Sequence, residues 1–323
     1  MDNLRVGVVG LGMMGVFHTK AYQSLPYVTV VGAVDQTKEQ ADKFASELGV
    51  KIYDSLDELL PHIDALSVCT PDDFHKDIVI QAFRAGVKVL VEKPLEISVA
   101  ACEEILAARP DPTYLMVGQT LRFDPRVCQA KAALDSGDLG DIYYLNIHRS
   151  NPSVQGKHYS KRSSVAWFLG IHDIDAVLWI TGRKIVEVKA MGRKLFSDNW
   201  DYVSAQLRLD NGVIVCMENS WTMPPERYNV MDAGLRIVGS KGMIEVSFIA
   251  DQVRLSTQAL GRSAFVDVVG RTEVQGKPGG ALRTTVEFFV ESVLNNRVPP
   301  VTGEEAMEAV RAIEWIEREL DKQ

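Results

Sequence analysis

The chain has 323 residues, more than one hydrophobic core usually serves, so two domains are expected. Its 46% hydrophobic and 24% charged residues suit a globular protein, and its net charge of -8 argues against a basic nucleic-acid-binding surface. The cysteines, Cys69, Cys102, Cys128 and Cys216, are far apart with no Cys-x-x-Cys pair, and read as reduced thiols rather than a disulfide framework or zinc site. No apolar run reaches the ~18 residues of a membrane span, and no basic-then-apolar signal segment opens the chain. A cytoplasmic protein with no membrane contact is expected.

A short apolar strand over residues 5–9 runs directly into Gly10-Leu11-Gly12-Met13-Met14-Gly15, and a helix follows over residues 13–24. This strand, G-x-G-x-x-G, helix context is what a dinucleotide fingerprint requires. Gly10 permits the tight turn, Gly12 lets the backbone approach a pyrophosphate, and Gly15 lets the helix pack on the strand. The helix start at Met13, Met14 and Gly15 supplies N–H groups and partial positive charge for phosphates. The next strand, 28–34, ends at Asp35, 20 residues after Gly15, where a carboxylate accepts from the adenosine ribose hydroxyls. A carboxylate there repels the extra phosphate of NADP. No arginine follows at 36 or 37, and Lys38 is the nearest cation, so NAD is expected over NADP.

A helix over residues 37–48 and short elements near 51–55 lead to a buried strand at 65–69. That strand ends in Thr70-Pro71-Asp72-Asp73-Phe74-His75, a polar loop on the expected nicotinamide side. Another helix leads to a strand at 87–91, followed at once by Glu92-Lys93-Pro94. Ligands of open α/β sheets bind beyond the carboxyl ends of the strands, so two charges at such a strand end point to chemistry. Pro94 keeps Lys93 out of the helical region. Lys93 there can hold its ammonium against a reacting oxygen or exchange a proton with it. A last strand, 114–117, precedes Gly118 to Arg122, and Arg122 is a candidate substrate or nicotinamide-side contact or a surface guanidinium in an interdomain salt bridge. Residues 1–122 thus read as a doubly wound parallel sheet of Rossmann type.

The Gly10-Gly12-Gly15 turn, Thr70-Pro71 with His75, and Glu92-Lys93-Pro94, in this order and spacing, resemble the glucose–fructose oxidoreductase / inositol dehydrogenase (Gfo/Idh/MocA) family. The resemblance implies a nicotinamide cofactor held by these residues, a catalytic lysine at Lys93, and a second domain that presents the substrate.

In the second domain, residues 123–323, a helix from Pro125 to Ser136 precedes a strand at 142–149. Residues 151–164 are polar, with Lys157, His158, Tyr159, Lys161 and Arg162, and read either as a solvated loop or as a substrate lid. In the helix over 165–180, His172 and Asp175 are three apart and share a face, so the carboxylate is placed to orient the imidazole. No further ligand has metal-site spacing, so no metal is expected. The segment matches the family's Gly-x-His-x-x-Asp pattern, which implies that His172 partners Lys93. Sugar-alcohol dehydrogenases of the family carry an aspartate one turn before that histidine, where this chain has Phe168; Asp173 or the polar loop is the candidate replacement.

Five strands between 185 and 248, broken by turns at 210–212 and 239–242, imply an open-faced, largely antiparallel sheet in an α+β domain. Its uncovered face calls for a partner, which in the resembling family makes a homodimer or homotetramer. Residues 251–283 are the least legible, with a mobile loop expected at 277–280, and a final helix spans Gly303–Leu320. The sequence is consistent with an NAD-dependent dehydrogenase acting on a secondary alcohol of a sugar, cyclitol or polyol, with Lys93 and His172 as its acid–base pair. The alternatives are a glycoside-cleaving enzyme that uses transient oxidation, and a non-catalytic cofactor or sugar sensor.

Overall fold

The structure is a computed structural model that describes residues 3–225, 231–248, 254–256, 263–265, 269–270 and 272–323. The chain forms two compact units, one of residues 1–120 with 270–310, the other of residues 121–269 with 311–323.

The first unit begins with β1 (Leu4–Val9), α1 (Met13–Gln23), β2 (Val28–Val34), α2 (Lys38–Leu48) and α3 (Leu56–Leu59). It continues with β3 (Ala65–Val68), α4 (His75–Arg84), β4 (Lys88–Val91), α5 (Val99–Ala108) and β5 (Leu115–Val117). The strands form one sheet in the order β2-β1-β3-β4-β5, all parallel. Val6, Val8, Leu66, Val68, Val89, Leu90 and Met116 are fully buried, which explains the continuous apolar runs: a parallel strand covered on both faces has no polar side. Strand order reverses between β1 and β3, the place where open sheets bind ligands.

The second unit holds α6 (Pro125–Asp135), β6 (Ile142–Pro152), α7 (Ser153–Tyr159), a π-helical turn (Ala166–Gly170) and α8 (Ile171–Thr181). Then come β7 (Ile185–Arg193), β8 (Tyr202–Leu209), β9 (Ile214–Met223), β10 (Asp232–Gly239) and β11 (Met243–Ser247). The sheet order is β11-β10-β6-β9-β8-β7, with β6 and β9 parallel and every other pair antiparallel. Register sorts its two faces. Leu145 and Ile147 lie beside Val215 and Met217 on the buried face, while Tyr144, Asn146 and His148 lie beside Ile214, Cys216 and Glu218 on the other. A short pair, β12 (Arg254–Ser256) and β13 (Ser263–Phe265), is also antiparallel.

The chain then forms a hairpin, β14 (Thr272–Val274) and β15 (Lys277–Gly279), and the helices α9 (Gly280–Leu294) and α10 (Gly303–Leu320). Helix α9 packs on α1, with Arg283 donating to the Ser24 hydroxyl at 3.4 Å, so part of the carboxyl-terminal region completes the first unit. The second domain expected as one continuous stretch is therefore interrupted.

Two segments expected as loops are ordered elements. Residues 151–164 contain the end of β6 and helix α7, and residues 277–280 contain β15 and the start of α9. Local composition hid both, because a seven-residue helix and a three-residue strand have too few periods to register in a pattern. Much of the least legible stretch, together with the side chain of Lys38, lies outside the described residues. No helix among the described residues is long and apolar enough to cross a membrane.

Candidate active site

In the first unit the glycine turn is fixed by named contacts. Gly10 has φ +85°, a conformation that disfavours other residues, and a Cβ there would lie 2.7 Å from the Cys69 backbone. A Cβ on Gly15 would stand 1.9 Å from the Gly10 carbonyl oxygen, so the first turn of α1 packs directly on the loop. Gly12 differs: nothing in the protein lies within 4 Å of its would-be Cβ. Protein packing therefore gives no reason for glycine at 12, whereas a pyrophosphate pressed against the backbone does. No side chain caps α1 and no acidic residue occupies its first turn, which leaves the helix start suited to an anion.

Asp35 sits at the end of β2 and ties this loop to the next helix. Its carboxylate accepts from Leu11 N–H at 2.6 Å and from Thr37 N–H at 2.7 Å, while Gln40 donates to the Leu11 carbonyl at 2.6 Å. A carboxylate oxygen has two lone pairs, so Asp35 retains acceptor capacity for hydroxyls. Beyond β3 and β5, the Thr70 hydroxyl and both ends of the Gln119 amide are buried without a hydrogen-bond partner. Such atoms are costly unless something satisfies them. With the open face of Gly12, they fit a bound dinucleotide; the residues in place to hold one are Gly10, Gly12, Met13, Met14, Gly15, Asp35 and Thr70. Pro71 is exposed at the start of the same loop.

His75 is buried, with Nδ1 2.9 Å from the Pro94 carbonyl oxygen and Nε2 3.0 Å from that of Thr70. Its ring joins the loop after β3 to the loop after β4, and its position, rather than a free nitrogen, is what it offers a cofactor. The Lys93–Pro94 peptide bond is cis, and Lys93 is half-buried.

Glu92 is buried against His18, a residue the motif reading passed over. Glu92 Oε1 lies 2.9 Å from His18 Nε2, His18 Nδ1 lies 2.9 Å from Ser67 Oγ, and the Tyr22 hydroxyl lies 2.7 Å from that Ser67 oxygen. Burial opposes a charged His18, but Cys69 and Glu92 beside it outweigh burial and push its pKa up to about 10. Burial also pushes the Cys69 thiol up. Cys69 therefore stays a thiol at neutral pH, and the lasting support for the imidazolium is the Glu92 carboxylate. The signal in the sequence was His18 and Tyr22 at i, i+4 on the buried face of α1.

In the second unit, His172 is half-buried near the start of α8. Asp175, expected to orient it, carries a buried ion pair with Arg122: both carboxylate oxygens accept from the guanidinium, at 2.7 to 3.2 Å. Arg122 is thus not a surface guanidinium: it is 5% exposed and ion-paired with Asp175.

Asp173 is fully buried, with Arg149 donating to one oxygen at 2.9 Å and Asn219 to the other at 2.7 Å. Burial raises its pKa, opposed by the Arg149 charge and the Asn219 hydrogen bond. The carboxylate offered by the sequence as a substrate contact is consumed inside the unit, where it binds α8 to β6 and β9.

Tyr159, at the end of α7, stacks on Phe168 with ring centroids 4.4 Å apart and planes at 25°. The Phe168 ring lies 5.9 Å from that of Trp221. Among the described residues, no group of three or more His, Cys, Asp or Glu is arranged to hold a metal ion.

Residues 4–118 match the family described as "Oxidoreductase family, NAD-binding Rossmann fold", and residues 127–245 match the Gfo/Idh/MocA C-terminal domain. The chain is 29% identical over 320 residues to scyllo-inositol 2-dehydrogenase (NAD(+)) of Bacillus subtilis, covering 94% of this chain and 90% of that one. It is 27% identical to UDP-N-acetylglucosamine 3-dehydrogenase of Acidithiobacillus ferrooxidans, over 92% and 91%. The crystal structure of myo-inositol 2-dehydrogenase from Lactobacillus plantarum superposes with a TM-score of 0.85 over 99% of this chain and 98% of that chain, at 22% identity, which shows a shared fold.

Proposed function

We propose that this chain, which belongs to the Gfo/Idh/MocA family of NAD-binding oxidoreductases, oxidises a secondary alcohol of a sugar, cyclitol or related polyol, or reduces the corresponding ketone. The observation that carries the reading is in the first unit. Lys93 stands at the carboxyl end of a central strand, next to a buried His18–Glu92 pair and in the same unit as a glycine turn shaped for a dinucleotide. A sensor would need the turn but no cation at that strand end. The relatives named as sugar and inositol dehydrogenases supply the substrate class.

Bound NAD supplies a hydride acceptor. Lys93 donates a hydrogen bond to the substrate oxygen and stabilises the charge that develops there as its proton leaves. His172 accepts that proton. The Arg122–Asp175 pair fixes the face of α8 from which His172 projects, and Asp173 locks the same helix to the sheet. Asp35 favours NAD over NADP by presenting a carboxylate at the ribose position.

Met191, Met243 and Tyr144 on the sheet face away from the helices are 72%, 53% and 39% exposed, which supports pairing of that face with a second copy in a homodimer or homotetramer. A cytoplasmic location fits a chain that uses NAD and reduced thiols.

The test is Lys93→Ala assayed for NADH formation across a panel of sugars and inositols. Positioned proton transfer contributes about 10²–10⁴-fold, so turnover falls at least 100-fold while the NAD dissociation constant stays within a few-fold. Near-normal turnover by this variant removes Lys93 from the mechanism. Release of an aglycone without net NADH would identify the glycoside-cleaving alternative instead.

A further inference from the structure

We propose that Gln119 grips the carboxamide of the nicotinamide. Its side-chain N–H donates to the carboxamide oxygen, and its side-chain oxygen accepts from the carboxamide NH2. The proposal rests on the reading of this chain as an NAD-binding oxidoreductase, and on neither of the proton-transfer roles given to Lys93 and His172.

The strand that delivers Gln119 sets its place. Strand β5 ends at Val117, and the Gly118 N–H donates to the Val91 carbonyl at 2.7 Å, so the chain leaves the sheet beside the turn that carries Glu92 and Lys93. A Cβ on Gly118 would lie 3.1 Å from Glu92 Oε1, so glycine there lets the two strand ends run side by side. Two narrow turns follow, from Gln119 N–H to the Val117 carbonyl at 2.8 Å and from Thr120 N–H to the Gly118 carbonyl at 2.9 Å. The backbone N–H of Gln119 is thereby satisfied, but its side chain is not. That side chain is 1% exposed, and neither Nε2 nor Oε1 has a hydrogen-bond partner among the described residues.

An amide buried in this way has lost its hydrogen bonds to water without replacing them, which destabilises the unliganded fold. Packing does not ask for it, since methionine fills much the same volume and strands no polar atom. A ligand that presents an acceptor and a donor side by side does ask for it. No hydrogen bond has to break for the amide to turn toward such a group.

NAD carries two groups of that kind, the carboxamide and the amino edge of adenine, and sheet order separates them. Asp35, at the adenosine ribose position, follows β2, whereas Gln119 follows β5, and these strands form opposite edges of the sheet. Four strand spacings of about 4.8 Å put the two edges about 19 Å apart. A dinucleotide laid across the switch point with its adenosine on the β2 side has its nicotinamide on the side of β4 and β5. The carboxamide is the group that comes to Gln119.

The test measures dissociation constants for wild type and Gln119→Met with NAD and two analogues. The 3-acetylpyridine analogue has a methyl in place of the carboxamide NH2, and the hypoxanthine analogue keeps the carboxamide and alters adenine. Wild type is expected to bind NAD at least about fivefold more tightly than the acetylpyridine analogue, which leaves the Gln119 oxygen unpaired. Gln119→Met is expected to weaken NAD and the hypoxanthine analogue about tenfold each, and the acetylpyridine analogue less than about threefold. Thermal unfolding of the NAD-free protein adds a readout in the opposite direction: the variant holds or raises the midpoint, because it takes unpaired polar atoms out of the interior. The proposal is overturned by a wild type that does not separate NAD from the acetylpyridine analogue, by unchanged NAD affinity in Gln119→Met, by equal losses for those two ligands, or by a lower NAD-free midpoint. A loss that spares the hypoxanthine analogue assigns the amide to adenine and overturns it as well. Wild type that binds none of the three ligands removes the NAD reading itself, a failure distinct from all of these.

Discussion

In the first unit the buried charges next to Lys93 are His18 and Glu92; in the second, those flanking His172 are two Arg–Asp pairs, Arg122–Asp175 and Arg149–Asp173. Both arrangements satisfy ions that could not be buried alone. They differ in what can switch them off. A guanidinium keeps its charge at any pH a protein survives, so the second unit's pairs do not lose their cation in alkali. An imidazolium does not, so the lysine side rests on a support that alkali can remove. The helix that carries His172 is held by arginine pairs, whereas the strand end beside Lys93 keeps a titratable neighbour.

The sharpest way to break this comparison is to remove one partner from the rigid side. Arg122→Ala strands a buried carboxylate and is expected to cost about 3–5 kcal/mol, read from the denaturant midpoint. The double variant Arg122→Met, Asp175→Leu should regain most of that loss, because an apolar pair of similar volume has no charge to strand.

His18→Gln should cost somewhat less at neutral pH, and its deficit should vary with pH. The folded-state pKa of His18 is raised from 6.5 to about 10, so the stability it contributes is complete below about pH 6.5 and is lost as pH rises through about 10. The gap between wild type and variant therefore closes over that window. A gap that stays constant would place the charge of the pair elsewhere.

A smaller effect separates two glycines of one motif. Gly15→Ala drives a Cβ into the Gly10 carbonyl and should cost about 1–3 kcal/mol in thermal unfolding. Gly12→Ala meets open space in the protein, so stability should hold while the NAD dissociation constant rises tenfold or more. Smallest of all, Asp35→Ser should move the NAD to NADP affinity ratio by about tenfold, or 1.4 kcal/mol, toward NADP in a fluorescence titration.

The cofactor half was legible because its signal lies in the backbone. Gly10, Gly12 and Gly15 are required by turn geometry and close approach, and such demands appear as residue types at fixed spacing. The same is true of the five parallel strands, whose two-sided burial makes each an unbroken apolar run. The second unit was legible only as strands and one helix. Helix spacing places Asp175 beside His172, but it does not report the ion pair that Asp175 makes with Arg122, 53 residues away in sequence. Asp173 pairs with Arg149 and Asn219 across two strands, and Trp221 reaches Phe168 from a third direction. No periodicity reports a contact between distant segments. His18 was missed for a different reason: a histidine on an apolar helix face reads as packing until its partner is known.

The turn at Ala166–Gly170 holds about one residue more than a turn of α-helix needs. Deleting any one of its residues would let the helix close at ordinary spacing and swing everything before it by about 100° relative to His172. Phe168 would leave its place against Tyr159 and a neighbour would take over, while the imidazole and the rest of α8 stayed where they are. A single-codon loss would in this way exchange the side chains presented just before α8 and leave the rest of that helix in place.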